Sequence, residues 1–394
     1  MRWYQKLAVI AGAVSLIGAA PAPKGAWTRA WTASVFQAPA QVHTVSIENT
    51  TIRSAVRLGA GGSRVRLRLS NEYGKPFDIG AVTVRVAGGP AMRVTFDGQS
   101  ATRMPEGAPL VSDPVSLPVK AFDVVEVSIY FPGKVELTTV HLAPGQPTAI
   151  SAPGDHSGED FAPATTHIAR PLLAGIDVLT PRARPIVVAY GDSITDNTGC
   201  ANDAVPACRW GDVLGRRLAT AGKPHVVVTQ AISGNRVLAS GTGPSALARL
   251  DRDVLAMPGV SHIVLLEGIN DIGASGGTRD GAKQPTITAE QLIQAYRQLV
   301  TRAHDRGIKV IALTVLPYQG AGYYSEAGEA IRERVNDWMR TSGTFDAVVD
   351  MEKVVADPAD PKKLNPALQR GDNLHPDGRG ETKMGEAIPL GLFK

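Results

Sequence analysis

The chain has 394 residues, 43% hydrophobic and 20% charged, which is enough apolar material for more than one folded unit and excludes wholesale disorder. Its 41 basic and 37 acidic side chains leave a formal net charge of +4. No dense Lys/Arg cluster is interleaved with aromatics, so nucleic acid is not an expected partner.

The first residues have the pattern of a secretion signal. Arg2 and Lys6 precede a small, apolar stretch from Leu7 to Ala20, too short to span a bilayer comfortably, and Ala and Pro follow. The expectation is a signal peptide over 1–25 and a secreted or periplasmic mature chain; the competing reading is a short membrane anchor. No later segment is long and apolar enough to cross a membrane.

From Trp27 to about Thr180 the apolar pattern has period two. Arg64 to Ser70 alternates strictly, as does Val82 to Val86 and, nearly, Val125 to Ile129. Gly and Pro clusters punctuate these runs, so the spacing predicts an all-β, jelly-roll-like sandwich over 27–180. Trp27, Trp31, Phe36, Tyr73 and Phe77 could stack on sugar rings, but aromatics near strands more often serve a core or a domain interface. The acidic stretch Asp155 to Asp160, with His156, fits no metal-ligand spacing and reads as a solvated loop. Pro171 to Pro185 reads as a linker, because its prolines resist regular structure.

After Pro185 strands and helices alternate. Ile186 to Tyr190 is a continuous apolar run, the mark of a buried parallel strand. A helix follows from Arg209 to Ala221, then a strand from His225 to Thr229 and a helix from Ser245 to Met257. The next strand is His262 to Leu266. Thr288 and Gln291 make a capping-box pattern that opens a helix ending near Gly307. A strand from Lys309 to Val315, a helix from Ser325 to Ser342, a strand from Ala347 to Asp350 and a terminal helix from Gly378 to Ile388 complete the pattern. This predicts a three-layer, parallel α/β domain over 185–394.

In such folds the loops after successive strands converge on one edge. Four of them carry chemistry. Gly191-Asp192-Ser193-Ile194 follows the first strand and presents a hydroxyl. Ser233-Gly234-Asn235 and Gly268-Ile269-Asn270-Asp271 bring a glycine and an amide. Asp372-Asn373-Leu374-His375 brings an imidazole with a carboxylate three residues before it. Acyl transfer needs a nucleophile, a base, a group that orients the base, and donors for an oxyanion. Ser193, His375 and Asp372 can fill the first three roles. The N–H groups of Ser193 and Gly234 and the side-chain amide of Asn270 can fill the last. Asp192, Asn235 and Asp271 read as braces for the loops that carry them. The remaining histidines, His141 among them, sit in contexts that suggest no role. Gly273 to Gly277 fits a G-x-S-x-G string but lacks the strand–turn–helix setting that motif requires.

Together the four blocks resemble those of the SGNH hydrolases, the GDSL-type esterases, in which Ser, Gly, Asn and His come in this order. The resemblance covers roughly 185–394. It implies a flavodoxin-like α/β/α fold, hydrolysis of carboxylic esters through an acyl-enzyme, and neither a cofactor nor a metal. Ile194 stands where the family name has Leu, and either can pack beneath the turn. The β-rich unit lies outside that family's core; its place before the catalytic unit is similar to that in two-domain carbohydrate acetylesterases. The expected substrate is a small-molecule or carbohydrate ester, with short O-acetyl groups favoured. The alternatives are a lipase or lysophospholipase acting on acyl lipids, or a carbohydrate-binding protein without turnover. The two cysteines, Cys200 and Cys208, lie in one loop and could form a local disulfide in an oxidising compartment.

Overall fold

The computed structural model describes residues 25–39, 44–142, 146–196, 207–279 and 282–394. Residues 1–24, the apolar core of the expected signal included, lie outside that set.

The N-terminal half is built from antiparallel sheets. One has four strands in the order Ala26–Thr32, Leu173–Thr180, Val65–Ser70, Pro109–Val111. Another has six, in the order Thr165–His167, Thr148–Pro153, Thr50–Arg57, Val124–Phe131, Ala81–Val86, Met92–Val94. The alternation read from sequence sets their faces: Val65, Leu67 and Leu69, Val82 and Val84, and Val125, Val127 and Ile129 are all buried in a common core. Asp177 lies opposite Arg29 on one neighbouring strand and Arg66 on the other, and pairs with Arg29, Arg66 and Arg68 at 2.5, 2.9 and 2.9 Å.

The expected linker is mostly not a linker. Leu173–Thr180 is an eight-residue strand, paired antiparallel on both sides. Pro171 ends the preceding strand, Ala169–Pro171, opposite Val140, and Pro181 and Pro185 lie beyond Thr180, so no proline falls inside Leu173–Thr180.

The C-terminal half is organised around a five-stranded parallel sheet. Its strands are β1 (Ile186–Gly191), β2 (Val226–Ala231), β3 (Val260–Leu266), β4 (Lys309–Leu313) and β5 (Ala347–Val349), in the order β2-β1-β3-β4-β5. All four pairings are parallel. The order reverses between β1 and β3, which is where open α/β sheets bind ligands at their carboxyl ends. The helices are α1 (Ser193–Asp196), α2 (Trp210–Thr220), α3 (Ala246–Leu250), α4 (Ile269–Ala274), α5 (Ala289–His304), α6 (Glu326–Thr341), α7 (Met351–Val355) and α8 (Gly378–Ala387). α2 packs with α8, and α5 with α6. These pairs flank the sheet and give the flavodoxin-like three-layer arrangement.

The helix expected from Ser245 to Met257 is shorter. Ser245 caps it, accepting from the Ala248 N–H at 3.2 Å, but after Leu250 the chain widens into a π-turn over Asp251–Leu255.

The two halves are closely joined. Ser34 donates to Gln230 of β2 at 2.7 Å, and Arg252 reaches Glu72 at 3.1 Å and the Tyr73 hydroxyl at 2.9 Å. The five aromatics considered for sugar stacking are engaged within the protein. Arg66 lies 4.4 Å over Trp27 and Arg170 lies 5.2 Å over Trp31. Phe36 is buried, and Phe77 packs against Phe131 at 5.7 Å. In the 155–160 loop, His156 binds Glu159 at 2.6 Å, and Asp160 is paired with Arg85.

Candidate active site

Gly191 ends β1 under close constraint. A Cβ there would stand 2.2 Å from the Thr195 hydroxyl and 2.3 Å from the Leu266 carbonyl, so only glycine lets the chain turn here. The turn puts Ser193 at the start of α1, partly exposed, between buried Asp192 and Ile194. Asp192 accepts the Ile194 N–H at 2.9 Å, which fixes the turn from inside.

His375 reaches this serine across a sequence separation of 182 residues. Its Nε2 lies 2.9 Å from Ser193 Oγ, and its Nδ1 lies 2.7 Å from Asp372 Oδ2. The other Asp372 oxygen accepts the N–H groups of Leu374 at 3.0 Å and His375 at 2.9 Å. Asn373 between them takes a left-handed conformation, φ +58°, held by Gln369 and by the Gly320 carbonyl. Because Asp372 only accepts when ionised, Nδ1 carries the ring proton and Nε2 faces Ser193 as an acceptor.

The two remaining blocks flank the same turn. Asn270, buried at the start of α4, donates its amide to Asp192 at 3.4 Å. An amide has two donor hydrogens, so one stays available to a ligand. Gly234 has φ +79°, a conformation that a side chain would strain, and its loop is anchored where Ile232 N–H meets the Gly191 carbonyl at 3.1 Å. Asp271 accepts the N–H groups of Val237 and Leu238 at 2.7 and 2.9 Å, tying the Asn270 loop to the Gly234 loop. Asn235 donates to the carbonyls of Thr242 and Pro244 and accepts from Arg249 at 2.9 Å. Asp192 and Asp271 each join two of the blocks, whereas Asn235 holds its own loop and the Arg249 side chain.

Electrostatics separate the carboxylates. Burial would raise the Asp372 carboxyl, but hydrogen bonds from His375 and Leu374 outweigh it and hold the group below the usual carboxylate range. Burial raises Asp192, and Asp271 adds to the rise. Burial pushes Asp271 up to about 6 despite its two backbone donors.

His141 was missed from sequence. Its Nε2 lies 3.2 Å from Asp196 Oδ1 on α1, although it belongs to an N-terminal strand. No local motif marks it, since the pair forms only when the two halves dock. The string Gly273 to Gly277 is set aside: Ser275 Oγ accepts the Ile287 N–H at 3.0 Å and braces a loop. Cys200 lies outside the described residues, so its pairing with Cys208 stays an expectation.

Comparison with known proteins bears on the same half. The model of the GDSL-like lipase/acylhydrolase family matches residues 189–383. A lipolytic protein of the G-D-S-L family from Desulfitobacterium hafniense is 22% identical, over 51% of this chain and 96% of that one, with a TM-score of 0.39. A GDSL-like lipase from Bacteroides thetaiotaomicron is 20% identical, over 52% and 87%, with a TM-score of 0.38. An acetylxylan esterase from Geobacillus stearothermophilus is 21% identical, over 52% and 91%, with a TM-score of 0.40. No curated protein matches the chain. The three blocks at the ends of parallel strands, the fourth before α8 and the family match over 189–383 lead to one conclusion: the C-terminal half of this chain belongs to the GDSL-like lipase/acylhydrolase family and is a carboxylic ester hydrolase.

Proposed function

We propose that this protein is a secreted serine esterase that removes short acyl groups, O-acetyl groups on carbohydrate among them, through an acyl-enzyme. The observation that carries this reading is the hydrogen-bonded series Ser193, His375, Asp372, at 2.9 and 2.7 Å. Ser193 Oγ attacks the ester carbonyl as His375 Nε2 takes its proton. The negative charge that develops on the carbonyl oxygen is met by the N–H groups of Ser193 and Gly234 and by the Asn270 amide. His375 then returns the proton to the departing alcohol. Water repeats the sequence on the acyl-enzyme and releases the acid. Asp372 keeps the ring in the productive tautomer throughout.

The short-acyl preference rests on the residues beside the site. Arg370, Asp372, Asn373 and Gln369 form a polar border around His375. The secretion reading rests on Arg2, Lys6 and the apolar stretch after them. One feature favours the second reading, an acyl-lipid hydrolase. A largely apolar cavity of about 480 Å³, lined by Leu238, Leu247, Ala274 and Ile287, reaches Asp271, the neighbour of Asn270. A chain-length series of aryl esters separates the two: the proposal expects the highest kcat/KM on acetate, and a preference for long chains overturns it. Ser193→Ala should abolish turnover of the acetate while the fold persists.

A further inference from the structure

We propose that the N-terminal β region acts on catalysis through His141, a positioning residue that ties that region to the turn bearing Ser193. The inference rests on the catalytic reading of Ser193. His141 lies on the strand Thr139–Leu142, and both it and Asp196 are buried, at 4% and 1% exposure. Its Nδ1 lies 3.0 Å from the carbonyl of Ser34 in its own region, and its Nε2 lies 3.2 Å from Asp196 Oδ1. A carbonyl only accepts, so Nδ1 carries a proton and the ring's orientation is fixed from the N-terminal side.

Asp196 passes the constraint on in two directions. Its backbone N–H closes a turn on the Asp192 carbonyl at 2.9 Å, directly around Ser193. Its Oδ2 accepts from the Ser233 hydroxyl at 3.4 Å, one residue before Gly234. One residue thus holds both the turn that presents the nucleophile, through its backbone, and the loop that presents an oxyanion donor, through its carboxylate. Arg209, 3.8 Å from Asp196 Oδ1, and Arg170 add positive charge beside the carboxylate.

A contact that served adhesion alone would do as well or better with apolar partners, because burying polar groups costs desolvation. A hydrogen-bonded pair with fixed geometry instead transmits orientation. The other candidate role for this region, sugar stacking, has lost its residues: the aromatics considered for it are held by Arg66, Arg170, Phe131 and Arg252.

The test is steady-state kinetics of the mature full-length protein on p-nitrophenyl acetate, with thermal melting alongside. Histidine removal in H141A should lower kcat about 10- to 100-fold, the cost expected of a slightly misplaced nucleophile, with KM changed less than about twofold. H141Q, whose amide can still donate to Asp196, should recover part of the loss. E72Q, which breaks the cross-region pair of Glu72 with Arg252 away from the turn, should leave kcat unchanged. Wild-type kcat in H141A, or an equal loss in E72Q, overturns the proposal. Should H141A fail to fold, D196N carries the test, with a lowered kcat expected and an unchanged kcat overturning. Turnover by S193A would sink the catalytic reading itself, whereas an inert S193A beside a fully active H141A sinks only the positioning role.

Discussion

Burial is the largest influence on the His375 imidazole and makes it a weaker base. The hydrogen bond to Asp372 opposes that effect, Arg370 adds to it, and the group ends below the ordinary imidazole value. A general base must be neutral to accept the Ser193 proton. With its pKa lowered, His375 stays neutral at pH values where an ordinary imidazole, near 6.5, would be half protonated. The acid limb of kcat/KM should therefore fall below pH of about 6.5; a limb at or above that value would contradict the geometry. Asp372→Asn removes the contact that raises His375, so the limb should move lower still. The same change allows the wrong ring tautomer, and kcat should drop about 10²- to 10⁴-fold. At the third block, Asn270→Ala removes one oxyanion donor. It should cost about 10²- to 10³-fold in kcat with little change in KM, which initial-rate measurements over a substrate range would show. These residues were legible because each block is short and local, and because the ends of parallel strands meet at one edge. His141 was not, since its partner lies in another half of the chain and nothing near it in sequence announces the contact.

The elements divide in the same way between local and tertiary causes. Thr288 accepts the Gln291 N–H at 3.3 Å and the Gln291 side chain accepts the Thr288 N–H at 2.9 Å, the reciprocal pair read from four consecutive residues. Thr288→Ala should cost about 1 kcal/mol in urea unfolding, with kcat on the acetate unchanged, because the cap's hydrogen bonds run between Thr288 and Gln291 and include none of Ser193, Asn270, Asp372 or His375. The helix after Ser245 was read too long for a tertiary reason. Arg249, fully buried, reaches the carbonyls of Gly191 and Gln230 at 2.9 and 3.0 Å, the Ser34 hydroxyl at 3.2 Å and Asp253 at 3.1 Å. Asp253 lies within the π-turn, and Arg252 beside it turns to Glu72 and Tyr73. Periodicity cannot see partners in another layer. The strand Leu173–Thr180 was hidden by its boundaries: prolines at both ends suggested a linker, although the eight residues between them contain none.

At the scale of the molecule, the question is whether the two halves unfold together. Asp177 offers a way to ask it without touching the active site. It is 4% exposed and answers three arginines on the four-stranded sheet. Burial would raise its carboxyl, but Arg29 and Arg68 outweigh burial and hold it below the usual range. A carboxylate with a depressed folded value stabilises the fold above its unfolded value of about 3.9, and that contribution is lost as pH falls through the folded value. Asp177→Asn should therefore destabilise the protein at pH 7 by about 3–5 kcal/mol, since it strands buried guanidinium charge. The difference from wild type should shrink in acid, where the native carboxyl is itself protonated. If the Ser34, His141, Arg249 and Arg252 contacts couple the halves, the temperature at which esterase activity disappears should fall together with the melting of the β sheets. Activity that outlasts that melting would show the catalytic half to be independent, and would remove the physical route by which a residue such as His141 could reach Ser193.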